Sequence, residues 1–389
     1  MFIFMFLFHL TFSQYLPQDP AGEIMMIQYQ PEETWKTDSK AAYAEALRRI
    51  RTKSTSLNFI RLNALEAIPP EIREIHNLQS LALTRSRVSD LSLLTGASEL
   101  VRLSISDTNV SDLSPLRNLK KLKKISLGGT KVTDLSPLSS LPNVEELILE
   151  ETGITDLSPL SGMTNLKELS FGNSPVIDIT PISELINLQL LSIFKTSISD
   201  LSPLSNMKEM RFLDIRYTQI RDMSLLEQFP KLEWLSLDGI PATDFSVLRK
   251  LVNLNALSLR QTKITDSSVL ENCTLLEMLF LNESGIKELN SLSGLSRLQE
   301  LHLNKTAIRD LSPLRSLEKL ETLSLEDTQV EDLTPLSSLP KLSELHLANS
   351  RVKDLSPLKG LPRLVYIDIR GLDIKDLSAL EGRRIKIVQ

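Results

Sequence analysis

The sequence is poor in the residue types on which several protein classes depend. Among its 389 residues there is one cysteine, Cys273, so neither an intramolecular disulfide nor a cysteine-based metal site can form. Basic residues do not predominate, because 44 Lys and Arg stand against 49 Asp and Glu, a net charge of −5. Binding to nucleic-acid phosphates needs a basic stripe, so we expect no nucleic-acid partner.

Long apolar runs are scarce as well. The one strong run, "MFIFMFLFHLTF", opens the chain and is too short to span a bilayer, so we predict no integral membrane span. Residues 1–13 have the apolar character of a secretory signal peptide, although no Lys or Arg precedes the run and no A-x-A-like cleavage site follows it. The alternative is that translation begins near Met25 or Met26. We expect a secreted or cell-envelope protein if residues 1–13 are a signal, and a cytoplasmic one otherwise.

A repeat of 22 residues is the dominant feature of the rest of the chain. It is marked by aspartates at positions 90, 112, 134, 156, 178, 200, 222, 244, 266, 310, 332, 354 and 376, with Glu288 filling the one gap. Self-similarity at a fixed period identifies a solenoid, in which stacked repeats bury one continuous core. The chain is therefore predicted to be one elongated unit, although its length would allow several ordinary domains.

One copy, "LKKISLGGTKVTDLSPLSSLPN" (residues 122–143), shows how a unit is built. The alternation in "ISL" predicts a short strand, and Ser followed by Pro predicts a tight 3₁₀ turn. Parallel stacking at ~4.8 Å per strand gives fourteen strands an inner surface roughly 65 Å long.

Two polar columns accompany the leucines. A Thr or Ser occupies twelve of fourteen positions three residues after the last strand leucine, and we expect these hydroxyls to bond the backbone. The carboxylate of Asp134 is predicted to accept from the Ser136 amide in an Asx turn. The alternative, a calcium-binding aspartate ladder, lacks the glycine-rich nonapeptide of such sites, so we predict no metal.

The consensus LxxLxLxxTxVxDLSPLxxLxx resembles the bacterial leucine-rich repeat, in particular the 22-residue internalin-like class, over about Leu57 to Ile387. The resemblance implies an α/β solenoid with a parallel sheet on the concave face and short 3₁₀ segments and turns on the convex face. It also implies a protein-binding scaffold. The usual Asn column is Thr or Ser here, and neither Ig-like strands nor an LPxTG-type signal follows the repeats, so an invasin role or sortase anchoring is not implied.

The ends of a solenoid need polar covers. Residues 14–36 contain four Pro or Gly and no periodicity, which predicts a disordered leader. Residues 37–56 are predicted to form an N-terminal capping helix, started by Asp38 or Ser39 and carrying a Glu45–Arg49 pair. Its buried face is predicted to comprise Tyr43, Ala46, Leu47 and Ile50. Residues 57–389 follow as the solenoid, one irregular and about fourteen regular repeats, with a last strand at Ile385–Val388 that leaves an open edge.

Outward positions of the strands carry the information that the core does not fix. The first outward column is polar at both ends of the solenoid but reads Leu190, Phe212, Trp234, Ala256 and Met278 over five consecutive repeats. Exposed apolar patches of this kind mark binding sites, although aromatic side chains that merely cover the sheet would give the same pattern. The predicted concave binding site comprises Leu190, Phe194, Phe212, Asp214, Arg216, Tyr217, Trp234, Met278, Phe280 and His302.

Enzyme motifs are missing: there is no P-loop, no G-x-S-x-G elbow and no H-E-x-x-H. His302 and His346 lie two repeats apart, about 9.6 Å, which is too far for one metal ion to be bound by both. We therefore predict a non-enzymatic, cofactor-free scaffold that binds a protein or peptide and is a monomer. The alternative is a structural or assembly module, or a regulatory arm, that docks to another chain through the open C-terminal edge.

Overall fold

Strands one repeat apart pair with one another from Ser56 to Val388, as the 22-residue period requires. The computed structural model describes residues 37–389, so the predictions for residues 1–13 and 14–36 lie outside the described part. Sixteen parallel strands form one sheet in chain order. They are β1 Ser56–Asn58, β2 Ser80–Ala82, β3 Arg102–Ser104, β4 Lys124–Ser126, β5 Glu146–Ile148, β6 Glu168–Ser170, β7 Leu190–Ser192, β8 Phe212–Asp214, β9 Trp234–Ser236, β10 Ala256–Ser258, β11 Met278–Phe280, β12 Glu300–His302, β13 Thr322–Ser324, β14 Glu344–His346, β15 Tyr366–Asp368 and β16 Lys386–Val388.

Equivalent residues face one another in neighbouring strands. Phe212 pairs with Trp234, and Asp214 pairs with Ser236, so every column of the sequence becomes a row across the sheet. Only the end pairs depart from the period: Ser56 lies opposite Ser80, and Tyr366 lies opposite Lys386. The sheet and its turns confirm the predicted leucine-rich repeat solenoid.

The convex side is built from 3₁₀ segments that begin just after the aspartate column. All thirteen aspartates accept a hydrogen bond at 2.7–2.9 Å from the backbone N–H two residues later, so the Asx turn predicted at Asp134 is confirmed and recurs along the solenoid. The 3₁₀ segments are Pro70–Glu74, Ser92–Leu94, Ser114–Leu116, Ser136–Ser140, Ser158–Leu160, Thr180–Ile182, Ser202–Leu204, Ser224–Gln228, Ser246–Lys250, Ser267–Leu270, Asn290–Leu292, Ser312–Ser316, Thr334–Ser338 and Ser356–Gly360.

A left-handed residue ends each strand turn, five positions after the first residue of the strand. Fourteen consecutive repeats, from Arg85 to Gly371, place this residue at φ between +54° and +76°. Only three of the fourteen are glycine. The conformation is costly for the other residue types, but it directs the N–H to the next repeat, as in the 2.7 Å bond from Tyr217 N–H to the Asp238 carbonyl.

The hydroxyl column, the Thr and Ser residues three positions after the last leucine of each strand, follows this left-handed residue and stabilises the turn by hydrogen bonds to its backbone. Nine of its members donate to the carbonyl three residues earlier, as Thr218 does to Ile215 at 2.6 Å, which agrees with the predicted role. The hydroxyls of Ser86, Ser284 and Ser350 are buried without a hydrogen-bond partner.

Helix α1, Ser39–Ile50, covers the first repeat. Asp38 caps it by accepting from Lys40 N–H at 2.9 Å and Ala41 N–H at 3.3 Å. The predicted ion pair forms, with Arg49 Nε 2.8 Å from Glu45 Oε1. Ala46 and Ile50 are buried as predicted, together with Ala42. Leu47 is only partly buried and Tyr43 is exposed, because the face that the helix turns to the core is centred on Ala46.

One hydrophobic core runs from α1 to Leu380 without interruption. At the other end Arg383 donates to the backbone carbonyls of Leu358 and Leu361 in the preceding repeat. No helix within residues 37–389 is long and apolar enough to cross a membrane.

Candidate binding site on the concave face

The apolar break in the first outward column forms a continuous row in the structure. Leu190, Phe212, Trp234, Ala256 and Met278 are adjacent through the pairing of β7 to β11. Except for the buried Ala256, all are half-buried, so their side chains remain accessible from the concave face.

A pocket of about 230 Å³ opens in this row. Ala256 carries only a methyl group between Trp234 and Met278, so a gap remains where a larger side chain would stand. Leu190 and Phe212 complete the apolar wall, while Ser192, Asp214, Glu233 and Asn255 add polar groups. An apolar pocket with a few convergent polar groups is the usual form of a binding site.

Three polar side chains lie beneath the row, in the middle outward column. Ser192, Asp214 and Ser236 are adjacent in β7, β8 and β9, and each is at most 1% exposed. Ser192 Oγ, Asp214 Oδ2 and Ser236 Oγ are all buried without a hydrogen-bond partner. Such atoms are rare in folded proteins because each costs about 1–3 kcal/mol, so three in neighbouring strands require an explanation.

Arg216 contacts both Asp214 and the aromatic ring of Phe194. Its backbone N–H donates to Asp214 Oδ1 at 3.2 Å, and its Nε lies 3.1 Å from Oδ2 without hydrogen-bond geometry. Its guanidinium carbon lies 4.8 Å from the centroid of Phe194. The Phe194 ring in turn occupies the space that a Cβ would fill at Gly172 in the preceding repeat.

Tyr217 is the most exposed of the predicted site residues, at 40%. It stands in the left-handed position, at φ +56°, and its ring lies across Gly239 of the next repeat. Its hydroxyl lies 3.1 Å from Gln261 Oε1, two repeats away. Tyr217 is not among the residues that line the pocket. Its ring therefore lies at the edge of the concave surface.

Phe280 and His302 differ from our expectation of an exposed patch. Phe280 is 1% exposed and His302 8%. Their rings stack at 4.9 Å, and the guanidinium carbon of Arg260 lies 4.6 Å from the Phe280 centroid on the concave side of the sheet. Lateral packing between neighbouring repeats covers both rings, a relation that the alternation of a strand does not reveal.

A set of buried charges extends from Asp214 along the third outward column. The pKa of Asp214 is raised to about 7, mainly by burial; Arg216 opposes the rise, and the nearby carboxyls of Asp238 and Glu150 add to it. Burial also raises the pKa values of Glu150 and Asp238. Desolvation lowers the pKa of Arg260. Carboxyl groups with raised pKa values are typical of functional sites and of structural ion networks.

Sequence reasoning missed Glu150, Asp238 and Arg260. Asp238 accepts from Ser258 Oγ and, at 2.9 Å, from Arg260 N–H, and Glu150 accepts from Ser170 Oγ. All three stand in the column that contains Phe194 and Arg216. That column switches from Gly and Phe to charged residues within the central repeats, a signal that was present in the sequence.

A second group of ionisable side chains lies near the C-terminal end. Glu326, His346 and Asp368 place one ligand atom each within 4.8 Å of the others. Arg370, however, binds both oxygens of Asp368, with Nε at 2.9 and 3.0 Å and Nη2 at 2.5 Å. Because a guanidinium already neutralises its most buried carboxylate, this group is better described as an ion pair beside the His346 and Tyr366 rings, whose centroids are 5.0 Å apart and whose planes are tilted by 39°.

Among the predicted site residues, the structure brings Leu190, Phe212, Asp214, Trp234 and Met278 together around one pocket. Phe194 and Arg216 lie beside Asp214, Tyr217 lies at the edge of the concave surface, and Phe280 and His302 are covered.

Comparisons with known proteins agree with this architecture. A family model of leucine-rich repeats in two copies matches residues 98–140, 142–184 and 296–338. A search of the curated proteins finds no match. Among solved structures, an internalin of Listeria monocytogenes superposes with a TM-score of 0.70 at 28% identity, over 79% of this chain and 90% of that chain.

Two further structures share the fold. A leucine-rich repeat protein of Leptospira interrogans gives a TM-score of 0.72 at 21% identity, over 88% of this chain and 97% of that chain. The leucine-rich repeat ectodomain of a plant membrane receptor kinase from Arabidopsis thaliana, solved in complex with Casparian strip integrity factor 2, gives 0.57 at 19% identity, over 79% of this chain and 43% of that chain. The repeats, the single parallel sheet and these matches together show a leucine-rich repeat solenoid that is similar to a bacterial internalin.

Proposed function

We propose that the chain is a non-enzymatic scaffold that binds a protein or peptide on the concave face of its central repeats. The observation that carries the proposal is the pocket bounded by Leu190, Phe212, Trp234 and Met278. Trp, Phe and Met are enriched at the centres of protein interfaces, where a few such residues contribute most of the binding energy.

The surroundings of the pocket fit an interface. Charged residues return to the first column on both sides, at Glu168 before Leu190 and at Glu300 after Met278. An apolar centre with a polar rim is the usual anatomy of such surfaces. Proteins of this fold bind protein ligands, and the Arabidopsis ectodomain was solved with one partner bound.

Affinity capture with the purified chain tests the proposal. The double variant Phe212→Ala/Trp234→Ala removes two rings from the pocket wall and should reduce capture of a specific partner by at least about a hundredfold, or roughly 2.7 kcal/mol. Tyr366→Ala is the matched control, because it removes an aromatic ring from the same column outside the pocket and should leave capture unchanged. Capture that persists in the double variant would refute the concave site.

The alternative role, assembly through the open edge, predicts a different result. Strand β16 bonds to β15 on one side only, so a second chain could extend the sheet there. Light scattering on the purified chain separates the two roles: a monomer at about tens of micromolar opposes self-assembly through β16. An oligomer that is unaffected by Phe212→Ala/Trp234→Ala would favour it.

A further inference from the structure

We propose that the pocket receives a basic side chain of the partner, lysine or arginine, whose apolar stem lies between Phe212 and Trp234 and whose cationic nitrogen donates to Asp214 Oδ2. The inference rests on the function proposed above, because it names the chemistry of the ligand at that same pocket.

The polar groups of the pocket favour a cation over an anion. Asp214 and Glu233 are among its lining residues, and the lining includes neither Lys nor Arg. The Glu233 carboxylate is already engaged by Arg211, with Nη2 at 2.8 Å from Oε2 and 2.9 Å from Oε1. Asp214 Oδ2 has Arg216 Nε 3.1 Å away as an ion-pair partner but accepts no hydrogen bond, so it is the acceptor that a ligand would complete.

A second aspartate shows what a completed site looks like. Asp214 and Asp368 occupy the same column, both are 1% exposed, and each is followed two residues later by an arginine. Arg370 binds both oxygens of Asp368. Arg216 does not bind Asp214 in this way, because its guanidinium lies over Phe194. Arg216 therefore contacts Asp214 Oδ2 through Nε alone, and this oxygen, on a residue that lines the pocket, is left without a hydrogen-bond donor.

Around Asp214, buried carboxyl groups outnumber the guanidinium groups that face them. Glu150, Asp214 and Asp238 interact with one another and with the guanidinium groups of Arg216 and Arg260. Three carboxyl groups therefore face two cations, so the set either retains a proton or takes up one more positive charge. A bound ammonium or guanidinium would supply that charge, and an ionised Asp214 would then be satisfied.

Other ligand groups fit less well. A neutral apolar side chain would cover Asp214 and leave its carboxyl group desolvated without a donor. An acidic side chain would repel Glu150, Asp214 and Asp238. The stem of lysine or arginine is apolar along its length, so it complements the wall. Aromatic rings attract cations through their quadrupoles, as Phe212 already does with the guanidinium carbon of Arg211, 5.8 Å from its centroid.

Fluorescence titration tests the inference, because Trp234 is one of only two tryptophans and lies in the pocket wall. In a Trp35→Phe background, Trp234 is the single tryptophan. The probes are acetyl-Leu-Lys-Leu-amide, its arginine analogue, and the same peptide with Nε-acetyl-lysine, which keeps the stem and removes the charge. At about pH 8 the two cationic peptides should bind at least about tenfold more tightly than the acetylated one.

Three variants make the test specific. Asp214→Asn should reduce the preference for the cationic peptides to less than about twofold, whereas Asp368→Asn, the matched control outside the pocket, should retain it. Ala256→Leu keeps the carboxylate but fills the gap between Trp234 and Met278, and should weaken all three peptides. Because Ala256→Leu does not alter Asp214, it tests the pocket even if Asp214→Asn fails to fold, which circular dichroism reports.

Equal affinity for lysine and Nε-acetyl-lysine peptides would overturn the inference, and so would a cation preference that survives in Asp214→Asn. Absence of saturable binding by any peptide at about 10 mM would overturn it too. Capture of the protein partner is scored separately. If capture depends on Phe212 and Trp234 but the peptides show no cation preference, only this inference fails; if capture is independent of both rings, the proposed function fails.

Discussion

The ring of Tyr217 lies across Gly239, and each residue depends on the conformation of the other. Both are left-handed, at φ +56° and +62°. A Cβ on Gly239 would lie 2.5 Å from Tyr217 Cε1, closer than real carbon atoms approach. Glycine at this position therefore serves two purposes, since it adopts the turn without strain and leaves room for the ring of the preceding repeat.

Gly239→Ala should lower the free energy of unfolding by about 1–3 kcal/mol, because it combines a left-handed alanine with an overlap against Tyr217. Urea unfolding measures the change. Gly294→Ala is the control, since an added Cβ there meets nothing within 4 Å. Adding Tyr217→Ala should recover the part of the loss that comes from the ring, and equal stabilities of Gly239→Ala and Gly294→Ala would contradict the packing described.

Asp214 and Asp368 should give stability profiles of opposite slope with pH. The pKa of Asp214 rises from 3.8 to about 7 in the fold, so the native state loses stability as the pH rises through that window. The side chain in Asp214→Asn does not ionise. The free energy of unfolding of this variant should therefore rise relative to that of the wild type, by about 2–4 kcal/mol between about pH 4 and pH 8.

Hydrogen bonds from Arg370 hold the pKa of Asp368 below its usual range, so its contribution is present at neutral pH and is lost as the pH falls through the folded-state value. Asp368→Asn should accordingly be less stable than the wild type at neutral pH, with a difference that narrows in acid. Urea unfolding at several pH values compares the two variants, and parallel profiles would show that the two aspartates do not differ as described.

Members of the hydroxyl column should differ in how much they contribute to the free energy of unfolding. Thr306 Oγ1 donates to the Leu303 carbonyl at 2.6 Å, whereas Ser284 Oγ is buried without a partner in the preceding repeat. Thr306→Val removes the hydrogen bond with little change of shape and should cost about 1 kcal/mol, while Ser284→Ala should be close to neutral. Urea midpoints of the two variants measure the difference, and a larger loss for Ser284→Ala would reverse the assignment.

Cys273 should remain unreactive until the surrounding repeats unfold. The thiol is completely buried, and burial raises its pKa to about 11, so the reactive thiolate is scarce at neutral pH. A chromogenic disulfide reagent should label one thiol in denaturant and almost none in native buffer. Rapid labelling without denaturant would mean that this part of the core opens readily.

Local features of the fold were predictable because the causes lie within one repeat. The turn at Asp134 depends on an amide two residues away, and the hydroxyl of Thr218 reaches a carbonyl three residues away. Alternation in the strand likewise fixes which side chains face the core. The 22-residue spacing then repeats these relations along the solenoid.

How deeply the residues of the candidate site are buried could not be predicted from the pattern within one repeat. Alternation places Asp214, Phe280 and His302 on the outward face, and the structure shows all three buried there by their neighbours. Their burial depends on long side chains of adjacent repeats that lie flat along the sheet, such as Arg260 over Phe280. Asp214 and Asp368 are each followed two residues later by an arginine, yet only Arg370 binds both oxygens of its aspartate. The difference goes with Phe194 in the repeat before Asp214, because the Arg216 guanidinium lies over its ring.

Each strand bonds only to the strands immediately before and after it, from β1 to β16. Within residues 37–389, no strand pairing ties one end of the sheet to the other. Under tension applied at the termini, such a coil peels one winding at a time, and each winding releases roughly 75 Å of extended chain. A partner held across β7 to β11, as we propose, would bridge five windings and should therefore raise the force needed to unravel the middle of this protein.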